Sequence, residues 1–175
     1  MTEGLSAETT TQEHADLLES LGRHRFFLRQ TVRDLTDEQA RQRSTVSQLT
    51  LASLIKHVAA VENQWVRFIL DGPSAVGDFS PERAAQYEKE WVVQDDETLA
   101  TLLDRYEQVA RHTDEVVASL PDLDASHPLP SAPWFQPGAT WSARRVLLHI
   151  IAETSQHAGH ADIIREAIDG AKTMG

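Results

Sequence analysis

The sequence predicts an all-α protein folded as a four-helix bundle, and three observations lead there. Apolar residues recur every three or four positions in four separate segments. No segment shows the two-residue alternation of a half-buried strand, and the stretches between the four segments are polar or rich in proline. At 175 residues the chain has the length of one domain, expected to span 1–175 with residues 1–10 as a flexible N-terminal extension.

The first helix is expected from about Thr11 to Leu35, with Leu17, Leu21, Leu28 and Leu35 on its inner face. Thr36-Asp37-Glu38-Gln39 reads as a short capped turn, and a connecting segment runs on to Leu49. Thr50 caps a second helix through about Leu70, whose stripe is Leu54, Val58, Val61, Trp65 and Phe68; Asp71-Gly72-Pro73 breaks it. Ser80-Pro81-Glu82 has the form of an N-cap followed by proline, which predicts a short helix to about Glu90. Asp95 and Asp96 place acidic groups where orphan amides begin, so a third long helix is expected from about Glu97 to Leu120, closed by Pro121. Pro121, Pro128, Pro130, Pro133 and Pro137 forbid regular helix or central strand in the segment that follows, which also carries Trp134 and Phe135. Thr140 is expected to cap a final helix from Trp141 to about Ile168, ended by Asp169-Gly170. The long connections between the second and third and between the third and fourth helices leave the topology open.

Composition narrows the chemistry. Sixteen basic residues against 27 acidic ones give a net charge of −11, and no basic stripe is present to displace counterions from a phosphate backbone, so nucleic acid is not an expected partner. With no cysteine, disulfides and thiolate ligands are excluded, and a metal can be held only by His, Asp or Glu. The N-terminus lacks a basic start followed by an apolar run, and no apolar stretch approaches the ~20 residues that span a bilayer, so a cytoplasmic protein without membrane contact is expected.

Several polar residues break the apolar pattern. At 100° per residue, Val146, His149, Glu153, His157, His160 and Ile164 fall within an arc of about 80° on the last helix. His57 interrupts the second helix in the same way, on the arc of Leu54, Val61 and Phe68. Burying such groups singly costs several kcal/mol unless something compensates. Glu153 and His157, four apart, stand one above the other on one face, and His57 on a facing helix completes a three-ligand set with a position left open, the arrangement of a catalytic metal. A metal-free hydrogen-bond network among His57, His149, Glu153 and His157 is the competing account. The recurrence of metal sites in bundle cores, and the expense of a half-satisfied network, favour the metal. His24 reads as a satisfied core histidine, whereas His14, His112 and His127 read as solvated.

Leu54-Ile55-Lys56-His57-Val58-Ala59-Ala60-Val61-Glu62 with Trp65, and the run from His149 through Glu153, His157 and His160 to Arg165, resemble the DinB/YfiT-like superfamily of four-helix metalloproteins. The His, Glu, His version is similar to the actinobacterial branch that includes mycothiol S-transferases and the N-terminal domain of mycothiol-dependent maleylpyruvate isomerase. The resemblance implies a divalent ion on His57, Glu153 and His157, zinc first with nickel or iron as alternatives. It places His160 next to the site and makes His149 a neighbour of the ligands. It further implies mycothiol as cosubstrate, a small-molecule electrophile as its target, and a homodimer as a candidate assembly. The isomerases carry an additional C-terminal domain, so a chain ending at Gly175 is expected to perform S-conjugation rather than isomerisation. Trp65, Trp134 and Phe135 are expected to line the mouth through which the electrophile enters. A metal-dependent hydrolase acting through bound water and a non-enzymatic, stress-associated bundle are the alternatives.

Overall fold

Five hydroxyl caps set where the helices begin. In the computed structural model, which describes residues 11–77 and 91–173, α1 (Gln12–Gln30) starts at Thr11, α2 (Asp37–Ala40) at Thr36, α3 (Leu51–Asp71) at Thr50, α4 (Leu99–Ser119) at Thr98 and α5 (Ala143–Asp169) at Ser142. At Thr36, Thr50 and Thr98 the bond is reciprocal: each hydroxyl accepts from the amide three residues on, and Gln39, Ser53 or Thr101 accepts from the cap's own amide.

Three expected boundaries are corrected. The first helix ends at Gln30 rather than Leu35, because the Thr31 hydroxyl bonds back to Leu28 O, Asp34 adopts φ 61°, and Arg165 of α5 takes the freed carbonyls of Thr31 and Arg33 at 2.9 and 2.8 Å. The third long helix is capped by Thr98, not by Asp95 or Asp96; Glu97 is drawn instead to Lys56 Nζ at 2.6 Å. Thr140 does not cap the last helix, since Thr140–Ser142 forms strand β2, paired antiparallel with β1 (Ser126–Pro128) in the register His127↔Trp141. That two-stranded ribbon leaves no trace in the periodicity, and neither strand is a central one, so the prolines are accommodated. The short helix expected at Ser80–Glu90 lies outside the described residues.

Cross-helix contacts fix the topology. Glu13 pairs with Arg144, and Thr31 O accepts from Arg165, so α1 and α5 run parallel. His14 meets Leu120 O, Arg25 meets Asp114 and Arg29 meets Glu107, so α1 and α4 run antiparallel. His57 meets His157 while Trp65 meets His149, which makes α3 and α5 antiparallel neighbours. The order around the bundle is α1, α5, α3, α4, in an up-down-down-up course whose same-direction pair α3–α4 requires the long connection between them. Gly72 ends α3 at φ 70°, and a Cβ there would come within 2.9 Å of the His127 ring, whose Nε2 contacts Ile69 O at 3.1 Å. The ribbon is thereby locked to the end of α3.

The apolar core runs through two clusters: Leu28, Leu51, Leu54, Ile55, Leu102 and Tyr106 towards one end, and Leu21, Val66, Phe68, Val117, Leu147 and Ile150 towards the other. Between the helices lies a buried charge. Glu62 is 0% exposed, accepts from Arg25 through both carboxylate oxygens and from the Thr113 hydroxyl at 2.7 Å, and Arg25 also reaches Asp114 at 2.8 Å. No helix among the described residues is long and apolar enough to cross a membrane. Removing one partner of the buried pair strands a charge, so Arg25→Met should cost about 3–5 kcal/mol in urea denaturation, while Arg25→Met with Glu62→Met should recover most of the loss.

Candidate metal centre

The groove between α3 and α5 brings His57, Glu153 and His157 together. Each offers one ligand atom, and the three atoms lie within 4.8 Å of one another. Glu153 and His157 stand one turn apart on α5 with Oε2 3.6 Å from Nε2, close to the ~3.4 Å that two ligands of one tetrahedral zinc ion would keep. His57 approaches from α3, its ring edge-on to that of His157 with centroids 4.9 Å apart. The donor set is two imidazoles and a carboxylate, and the remaining closure lies within side-chain rotation, so the residues fit a divalent ion. Among the described residues no other His, Asp and Glu side chains gather this closely.

A family-wide sequence profile described as Mycothiol-S-transferase matches residues 16–170. The chain belongs to this family. The match spans all four long helices and joins the three converging side chains to a DinB-like mycothiol S-transferase framework. No curated protein matches the chain. Among solved structures, a conserved protein of Enterococcus faecalis superposes with a TM-score of 0.61 at 15% identity, covering 90% of this chain and 97% of that one, a likeness of fold.

In this member of the mycothiol S-transferase family, the polar arc of α5 sits differently from its sequence expectation. The buried stripe is Val146, Leu147, Ile150, Thr154, Ala158, Ala161 and Ile164; His149, Glu153 and His157 flank it, half-buried, and His160 is exposed. The polar residues of the arc share one flank, which looks onto the groove beside α3 and not onto the bundle axis, while Val146 and Ile164 of the same arc turn into the core. His160 touches His157 with Nδ1 atoms 3.5 Å apart. His149, one turn before Glu153, lies edge-on against Trp65 at 4.9 Å and Trp141 at 5.1 Å, inside an aromatic cluster. Trp65 is buried and stacks on Trp141 at 4.9 Å, Phe135 packs edge-on to Trp141 at 5.7 Å, and the exposed Trp134 follows at 6.2 Å from Phe135.

The remaining histidines divide. His14, expected to be solvated, is buried between the Thr11 hydroxyl and Leu120 O at 3.2 Å, because α1 and α4 run antiparallel and bring that carbonyl over it. His127, also expected to be solvated, is half-buried against Ile69 O and the Phe68 ring. His24 is half-buried beside Phe27, and His112 is exposed. Sequence periodicity missed Trp91, which lies outside every helix and stacks on His57 with centroids 3.5 Å apart and planes 18° apart.

Electrostatics prepare the cluster for a cation. Burial, reinforced by nearby His157, lowers the His57 pKa to about 4 against a weaker opposite pull from Glu153. Burial likewise lowers His149. Contact with His157 lowers Glu153 in spite of its burial, helped by the charge of the neighbouring imidazoles. At neutral pH His57 is therefore a neutral imidazole and Glu153 a carboxylate, the states in which both coordinate. An unfolded chain protonates His57 below about pH 6.5 while the folded chain resists until about pH 4, so acidification favours unfolding across that window. The melting temperature of the metal-free protein should fall from about pH 6.5 to about pH 4.5, and His57→Asn should flatten that slope; a slope unchanged in the variant would contradict it.

Proposed function

We propose that the protein is a metal-dependent thiol S-transferase: His57, Glu153 and His157 hold a divalent ion, zinc first, and the reaction joins the sulfur of mycothiol to a small electrophile. The observation that carries this reading is the convergence of two imidazoles and one carboxylate from two helices in a chain of the mycothiol S-transferase family. When bound there, a dication would supply a Lewis acid that lowers the pKa of a neighbouring thiol and so favours its nucleophilic thiolate form.

The chain's own residues do the rest. His57 and His157 give neutral nitrogen and leave the cation's charge undiminished, while Glu153 contributes one negative charge and keeps a net positive site that favours an anionic sulfur. The Glu153 side chain is 29% exposed against 12% for His157, so the approach to the cluster runs along the Glu153 side. Trp65, Trp141 and Phe135 form an apolar wall next to His149 on that same helix face, and we assign them to the electrophile's side of the entrance, with Trp134 at its rim. The new carbon–sulfur bond replaces the bond to the electrophile's leaving group, and the thiol proton departs to solvent.

Support for the reading comes from the family match together with the fit of the donor set. Because zinc at such a site also activates water, a hydrolase is the reading to be eliminated by assay. His57→Ala should lose stoichiometric zinc in elemental analysis and lose mycothiol conjugation of a model electrophile such as monobromobimane. A variant that stays active without metal, or a wild type that hydrolyses ester or phosphoester substrates with no need of thiol, would overturn it.

A further inference from the structure

Residues 92–97, which lead into α4, are tied down with unusual thoroughness for a stretch without regular structure. Arg41, just beyond α2, donates to the carbonyl oxygens of Val93 at 3.4 Å and Gln94 at 2.7 Å, and also to that of Glu97. Lys56, the residue before His57 on α3, donates to Val92 O at 2.9 Å and to the Glu97 carboxylate at 2.6 Å. The same carboxylate accepts from Gln94 N at 2.9 Å and from Arg105 at 3.1 Å, and the Lys56 and Glu97 side chains are each only 13% exposed. These bonds fasten the segment to α2, α3 and α4 together, as a strap.

At the head of this strap stands Trp91. Its ring lies nearly parallel on the His57 imidazole at 3.5 Å and meets His157 edge-on at 6.0 Å, so one indole contacts both imidazoles of the cluster. An imidazole's second torsion is broad and roughly two-fold, so burial alone does not choose the plane in which His57 offers its nitrogen. A parallel stacked indole does choose it. Metal affinity depends strongly on such outer contacts that fix ligand orientation.

We propose that Trp91 is a positioning residue for the metal centre: held by the Arg41, Lys56 and Glu97 strap, it sets the ring plane of His57 towards Glu153 and His157 and closes the cluster on that side. The inference rests on the metal reading above. It explains why the strap is so firmly bound: Lys56 and His57 are consecutive on α3, so the residue that grips the strap and the ligand that the strap orients move as one unit. It also fixes the direction of entry, because the indole covers the His57 side while Glu153 remains open.

Zinc affinity can be compared in the full-length wild type, Trp91→Ala, Trp91→Phe and Glu97→Gln, by competition with a chromophoric chelator, alongside the melting temperature of each metal-free form. Trp91→Ala should weaken zinc binding by about 10- to 100-fold. Trp91→Phe, which keeps a stacking ring, should recover most of that loss, and Glu97→Gln should weaken binding in the same direction to a smaller degree. Metal-free melting temperatures that track the affinities one for one would overturn the assignment, since that pattern belongs to a fold defect. Independently, cobalt binding should quench a component of the tryptophan emission that is missing in Trp91→Phe, and equal quenching in both proteins would overturn the contact. Wild-type zinc binding with an unaffected Trp91→Ala overturns this inference alone. A wild type that binds no zinc overturns the metal reading with it.

Discussion

A carboxylate with no access to water organises this bundle. Glu62 sits midway along α3, and its two oxygens are satisfied by Arg25 from α1 and Thr113 from α4. Three of the four long helices therefore meet at one charge, and a slip of any of them by one turn would leave it uncompensated. Apolar packing tolerates many near-equivalent arrangements of four greasy stripes, whereas this network accepts one. α3 is held on that side in rotation and in height.

The consequence reaches the opposite side of the same helix. His57 precedes Glu62 by five residues, well over one turn, and faces α5 where Glu62 faces α1 and α4. With α3 fixed by the charge, the height of His57 against α5 is fixed as well. α5 receives its own height from Arg165, which binds the carbonyls that follow α1, and from Arg144, which pairs with Glu13 at the other end of α1. The three ligand candidates thus converge because two separate polar systems position the two helices that carry them.

Those parts of the molecule that depend on local chemistry are legible in the sequence. Thr36 and Thr50 cap as expected because their partners lie three residues away, and His57, Glu153 and His157 stand out because polar residues at helical spacing interrupt apolar arcs. What the sequence hides depends on distant groups. Asp95, Asp96 and Thr98 are all competent N-caps, and the cap falls to Thr98, whose reciprocal bonds with Thr101 close it while Lys56, far back in the chain, holds Glu97 just before it. Thr140 and Ser142 are equally good caps, and pairing with Ser126–Pro128 removes the first from contention. The polar arc on α5 is visible as a group, but its aim is not, since period alone does not say which neighbour a flank will meet. Trp91 belongs to no periodic segment, so nothing short of the tertiary fold connects it with His57.

The ligand set has a charge logic of its own. Three imidazoles would leave a bound dication with its full charge, and two carboxylates would cancel it; two imidazoles and Glu153 would leave one positive charge in a half-buried groove. A site of that charge is neutralised by one monoanion, and electrostatics in such a poorly solvated place reward neutrality far more than in water. A chain with no cysteine has no thiol of its own to supply a thiolate there, so a sulfur anion would have to arrive from outside. Under the proposed function that complement is the thiolate of an external thiol, the kind of cosubstrate the mycothiol S-transferase family implies, and its approach along the Glu153 side follows from the indole ring stacked on His57.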